Sequence, residues 1–173
     1  NFILHNAGLG ERNGDVATWR AVRCLHAAIG LGILDTSDIA SLRAAVERPA
    51  FQSQLFSYIS HCAERGRAFD PAAWRSSTGL HSVLELGLLR DEDRERLRIL
   101  LTDNQCQLNL VYNLRRNAKL DPSWSPNPRA ATTGFAAALN MNLLTSDERG
   151  EIEGLVEESG FQQRIIERIL EEV

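Results

Sequence analysis

A row of glutamines carries the most regular polar chemistry in this sequence. Gln52, Gln107 and Gln162 are evenly spaced along the chain, and each follows a phenylalanine or a cysteine. A carboxamide has two donors and an acceptor, so such a row can bind the turn of a neighbouring structural unit or the backbone of an extended partner. We favour the structural role and keep the three glutamines as candidate partner-binding residues.

Two histidines follow the same spacing. His26 and His81 are separated by the interval that separates the glutamines, but the third position of the row is Ala136. A histidine row facing one partner is the functional interpretation. Because the row is broken, we favour half-buried rings at a seam between helices, each bonded to a carbonyl group, and keep both residues as candidates.

Basic residues form a third group, near the predicted ends of two helices: Arg65, Arg67, Arg115, Arg116 and Lys119. A stripe of this kind can track phosphates, and tryptophans can stack on unpaired bases. Trp124, in an irregular proline-containing stretch after Lys119, completes the candidate surface. The alternative is that the cations only complement the negative ends of their helices. For Trp19 and Trp74 we favour a structural role, in which they fill the contact between units.

The sequence shows no catalytic or metal motif. The pair Cys24 and His26 and the pair His61 and Cys62 do not supply the clustered ligands of a tetrahedral site. The glycine-rich stretch Gly8–Gly14 lacks the Gly-Lys-Ser/Thr ending of a phosphate loop. We therefore expect no enzyme activity, no cofactor and no metal.

An internal repeat organises these residues. The segments 29–59, 84–114 and 139–169 align without a gap, each shifted from the one before by the same interval. Leu34, Leu89 and Leu144 coincide, and so do Leu42, Leu97 and Ile152. A fixed period in this range is typical of stacked repeats. We predict one domain over residues 1–173, with units at 15–69, 70–124 and 125–173, preceded at 1–14 by the end of a truncated unit.

Each unit is predicted to contain three helices. Gly32, Gly87 and Asn142 are suited to end the first helix in a left-handed conformation. Asp35 and a Thr145–Glu148 capping box should begin second helices, Pro49 a third helix, and Asp15 and Asp70 first helices. The segment 1–7 is predicted to end a helix at Gly8 or Gly10.

These patterns predict an all-α fold, an α-solenoid of three 55-residue repeats in a right-handed superhelix. Its stacking resembles that of armadillo and HEAT arrays, although a 55-residue period departs from both. The formal net charge of −4 argues against a general binder of polyanions. Three cysteines without a CxxC pair indicate an intracellular, reducing compartment, and no apolar run is long enough to cross a membrane.

The expected function is a non-enzymatic scaffold for protein–protein interaction, as a segment of a longer array. The first alternative is binding of single-stranded RNA along the arginine edge. The second is a helical accessory domain of a larger enzyme. A protein is the expected partner, RNA is the alternative partner, and neither a membrane nor a small-molecule cofactor is expected.

Overall fold

The computed structural model describes residues 2–13, 16–65, 72–118 and 128–171. All regular elements within these ranges are α-helices, which confirms the all-α prediction. In chain order the helices are α1 Phe2–Asn13, α2 Val16–Gly30, α3 Thr36–Val46, α4 Pro49–Arg65, α5 Ala72–Leu86, α6 Asp91–Thr102, α7 Asn104–Ala118, α8 Pro128–Asn140, α9 Ser146–Glu157 and α10 Ser159–Glu171.

Three helix ends have one geometry, as the repeat predicts. Gly32, Gly87 and Asn142 have φ angles of 64°, 66° and 53°. At each end the amide of this residue donates to a carbonyl three residues back, and the next amide donates to a carbonyl five residues back. This is the Schellman motif, and it confirms the predicted left-handed stops.

The predicted start signals are present at α3, α4 and α9. Oδ1 of Asp35 accepts a hydrogen bond from the amide of Asp38 at 2.8 Å. Thr145 and Glu148 form a complete capping box at α9. Pro49 is the first residue of α4. The predicted caps Asp15 and Asp70 lie outside the described residues.

The predicted end of the N-terminal helix was wrong. Helix α1 continues through Gly8 and Gly10 to Asn13 instead of ending at either glycine. A glycine inside a helix costs only about 1 kcal/mol relative to alanine. Helix α1 packs on α2 and buries Ala7 completely, so tertiary packing outweighs the glycine signal.

The remaining nine helices form three consecutive triplets, α2–α4, α5–α7 and α8–α10, whose packing partners recur. First helices pack in succession, with α2 against α5 and α5 against α8. Each third helix packs on the first helix of the next triplet, as α4 does on α5 and α7 on α8. It also packs on the second helix of the next triplet, as α4 does on α6 and α7 on α9.

One hydrophobic cluster runs through all three triplets. Leu42, Leu97 and Ile152, predicted to share one apolar position, are all buried in it. Leu89 is part of this cluster, and Leu34 and Leu144 pack against it. Among the described helices, none combines the length and apolarity that a transmembrane segment requires.

Candidate functional site

The two repeated tryptophans lie in the contacts between successive first helices. Nε1 of Trp19 on α2 donates to Oγ1 of Thr78 on α5 at 3.2 Å. Nε1 of Trp74 donates to Oγ1 of Thr133 on α8, also at 3.2 Å. The two indole rings meet edge to face at 5.1 Å, and the Arg23 guanidinium lies over both. Trp19 is buried and Trp74 half-buried, so they fill the contact between triplets.

The same contacts bring helix backbones close together at two glycines. A Cβ on Gly79 would lie 3.1 Å from side-chain atoms of Trp19 and Ile59. A Cβ on Gly134 would lie 2.7 Å from Trp74 and 2.8 Å from Leu114. Trp74 and Leu114 follow Trp19 and Ile59 in the sequence by one repeat period, just as Gly134 follows Gly79. One packing solution is therefore used at both contacts between triplets.

His26 and His81 also meet at this seam, with ring centroids 5.2 Å apart. Nδ1 of His26 lies 3.1 Å from Oγ of Ser82, and the Asn140 amide donates to Nε2 of His81 at 3.0 Å. Their partners are therefore a hydroxyl and an amide rather than the carbonyl groups expected. Burial lowers the pKa of both rings, and the nearby His26 lowers that of His81 further.

The three glutamines do not form a uniform row. Oε1 of Gln52 accepts a hydrogen bond at 3.1 Å from the amide of Leu89, which has a φ of 62°. Gln52 thus binds the turn of the next triplet. Gln107 is half-buried and, within the described ranges, shows no corresponding side-chain bond. Gln162 is exposed, and its Nε2 donates to the Glu157 carbonyl at 3.4 Å.

The basic residues that the structure describes lie near the ends of α4 and α7. Arg65, exposed at the end of α4, has Nη1 3.3 Å from Nε2 of His61. Arg115, at the end of α7, binds Glu151 on α9 through Nε at 2.9 Å and Nη2 at 2.5 Å. Arg116 is half-buried. Arg67, Lys119 and Trp124 lie outside the described residues.

A groove between α4 and α6 is a surface feature that sequence reasoning missed. Three cavities of about 560, 470 and 230 Å³ follow one another between these helices. The first two share Phe56 and Arg96, and the last two share Glu64 and Leu100. We call this continuous depression the α4–α6 groove. It is lined by α4 from Pro49 to Glu64, by Arg90 just before α6, by α6 from Asp93 to Leu100, and at its far end by Asp103 and Cys106.

The middle of the α4–α6 groove combines apolar and polar chemistry. The guanidinium carbon of Arg96 lies 5.0 Å from the centre of the Phe56 ring. Ile99 stands beside it with 60% of its surface exposed. Oγ of Ser60 is buried in the groove wall, without a hydrogen-bond partner among the described residues. The helical spacing of Phe56 and Ser60 was visible in the sequence, but their pairing with α6 was not.

The described residues contain no group of three or more histidines, cysteines or carboxylates placed to hold a metal ion. None of the three cysteines forms a disulfide, and Cys62 and Cys106 are buried. Burial raises the pKa of the Cys106 thiol to about 11, so this thiol stays protonated at neutral pH.

Comparison of the chain with protein-family models, with curated proteins and with solved structures finds no match.

Proposed function

We propose that this chain is a non-enzymatic helical-repeat scaffold that binds a protein partner. In this proposal the triplets stack as an α-solenoid, in the manner of armadillo and HEAT arrays. The repeated tryptophan–threonine bonds and the recurring Schellman turns support the stacking. Because each triplet contacts mainly its neighbours, such an array presents long grooves between helices.

The observation that carries the proposal is the α4–α6 groove. It lies between the third helix of one triplet and the second helix of the next, where a stacked array offers a continuous surface. Its floor contains the exposed Ile99 and the half-buried Phe56 and Leu100 beside polar walls. Apolar grooves between helices with a few polar groups are suited to peptide segments.

RNA binding along the arginine edge is the weaker candidate. Trp19 and Trp74, which could stack on bases, lie between helices, and Arg115 is paired with Glu151. Of the basic edge residues that the structure describes, Arg65 is exposed at the end of α4 and Arg116 is half-buried. A phosphate stripe needs several such cations in line.

Filter binding of a single-stranded RNA of about 20 nucleotides, across about 50 to 300 mM salt, tests the choice. A protein-binding scaffold should retain no RNA at any of these concentrations. RNA binding that weakens steeply with salt, and that is lost in Arg65→Gln, would replace the proposal with the RNA alternative. The matched control is Arg20→Gln, which removes an exposed cation from α2 instead.

A further inference from the structure

The repeat allows the α4–α6 groove to be compared with its counterpart between α7 and α9. Shifting Ser60 and Arg96 by one repeat period gives Arg115 and Glu151. In the α7–α9 seam Nε and Nη2 of Arg115 both donate to Oε2 of Glu151, which makes an ion pair across the helices. The same two positions in the α4–α6 groove hold one cation and one hydroxyl, so the carboxylate of the pair has no equivalent there.

Arg96 therefore lies in the groove without the carboxylate partner that its counterpart position would supply. Within the described part of the chain, no carboxylate lies within ion-pairing distance of Arg96, which packs on Phe56 instead. Its charged neighbour Arg90 is already paired with Asp93 at 3.0 Å. The exposed Arg96 guanidinium can therefore donate hydrogen bonds to a carboxylate that enters the groove from outside.

The far end of the groove has the opposite charge. Glu64 and Asp103 line the 230 Å³ cavity, together with Leu100 and Cys106. Exposed Ile99 lies between the Arg96 centre and this acidic end. From Arg96 towards this end, the order is thus a cation, an apolar floor and then carboxylates. On the other side of Arg96, the carboxylates of Glu47 and Asp93 are paired with Arg43 and Arg90. A phosphate backbone that met Arg96 would be repelled at Glu64 and Asp103, whereas a peptide of mixed charge would not.

We propose that the α4–α6 groove binds a peptide segment of another protein in which an acidic side chain, placed on Arg96, precedes an apolar side chain packed on Ile99. A basic residue further along this segment faces Glu64. The inference rests on the proposed function and names the partner's chemistry. From Pro49 to Glu64 the groove is about 22 Å long, which fits a helical segment of about 15 residues.

The test is selection from a displayed library of random peptides of about 15 residues on the full chain, followed by fluorescence polarisation with the synthesised peptides. The enriched peptides should share an acidic residue beside a large apolar residue. Arg96→Gln should weaken their binding about tenfold or more, as should changing the peptide's acidic residue to its amide. Arg98→Gln, an exposed arginine on the same helix outside the groove, should change binding less than about twofold.

Two further variants distinguish a direct loss of peptide binding from a folding defect. Ile99→Ser removes an exposed side chain and should weaken the same peptides, while circular dichroism remains that of the wild type. Arg96→Glu should lose the selected peptides and bind versions carrying lysine at the acidic position.

Peptides that bind Arg96→Gln and wild type equally would overturn the inference and leave a protein-binding scaffold in place. Failure to enrich any binding peptide would also overturn it. If, in addition, single-stranded RNA binds at the groove and Arg96→Gln abolishes this binding, the proposed function fails as well.

Discussion

Trp19 and Thr78 join the first two triplets through a hydrogen bond of 3.2 Å between Nε1 and Oγ1. Both residues are buried, and Oγ1 of Thr78 also donates to the Trp74 carbonyl at 2.8 Å. An equivalent bond joins Trp74 and Thr133, so the same kind of side-chain contact connects both pairs of successive first helices.

Thr78→Val should therefore destabilise the protein. The change leaves the Trp19 indole N–H buried without an acceptor, which costs about 1–3 kcal/mol. Denaturation by urea, monitored by tryptophan fluorescence, measures the loss. Thr102→Val is the matched control, since Thr102 makes similar bonds to its own helix but is exposed at the end of α6. Equal effects of the two changes would contradict the role of the bond between triplets.

Leu97→Ala should cost about 2–5 kcal/mol in the free energy of unfolding. Leu97 is fully buried on α6, at the position shared by Leu42 and Ile152. Ile99→Ala, two residues away on the exposed side of the helix, should cost less than about 1 kcal/mol. Thermal unfolding of the two variants gives the comparison. A small effect of Leu97→Ala would mean that this face of α6 does not pack in the core.

Gly134→Ala should destabilise the protein although alanine favours helices. The new Cβ would lie within 2.8 Å of Trp74 and Leu114, and overpacking of this kind costs about 1–3 kcal/mol. The gain in helix propensity of about 1 kcal/mol offsets only part of this cost. Gly150→Ala is the control, because a Cβ on this α9 residue meets no atom within 4 Å and should stabilise by up to about 1 kcal/mol. Chemical denaturation should show shifts of opposite sign, and shifts of the same sign would argue against close packing at Gly134.

Stability should fall as the pH is lowered through the histidine range. The pKa values of His26 and His81 are lowered in the folded protein, chiefly by burial, whereas unfolded histidines titrate near 6.5. Below about pH 6.5 the unfolded chain therefore binds more protons than the folded one, and this favours unfolding. Among the charges facing the rings, Arg23 acts in the same direction and Glu85 opposes it.

Urea denaturation at about pH 7.5 and about pH 5.5 measures this dependence. Replacing both His26 and His81 with glutamine should make stability vary less between the two conditions. His5→Gln, at an exposed position on α1, should leave the dependence as it is in the wild type. An unchanged pH dependence in the double variant would show that other groups control it.

Local features of the fold followed from the sequence. Helix ends and caps depend on a few adjacent residues, so they can be predicted from the sequence. Examples are the helix ends at Gly32, Gly87 and Asn142 and the capping box at Thr145. Pro49 likewise marked the first residue of α4.

Tertiary structure decided which surfaces meet. The continuation of α1 past Gly8 depends on its packing against α2. The α4–α6 groove depends on bringing Arg96 over Phe56, although the two residues belong to helices of different triplets. The repeat period relates Arg96 to Glu151 and Ser60 to Arg115, but only the docking of neighbouring helices shows that one pair closes its seam and the other leaves a cation unpaired. Contacts between distant helices depend on their relative orientation, which a one-dimensional pattern does not contain.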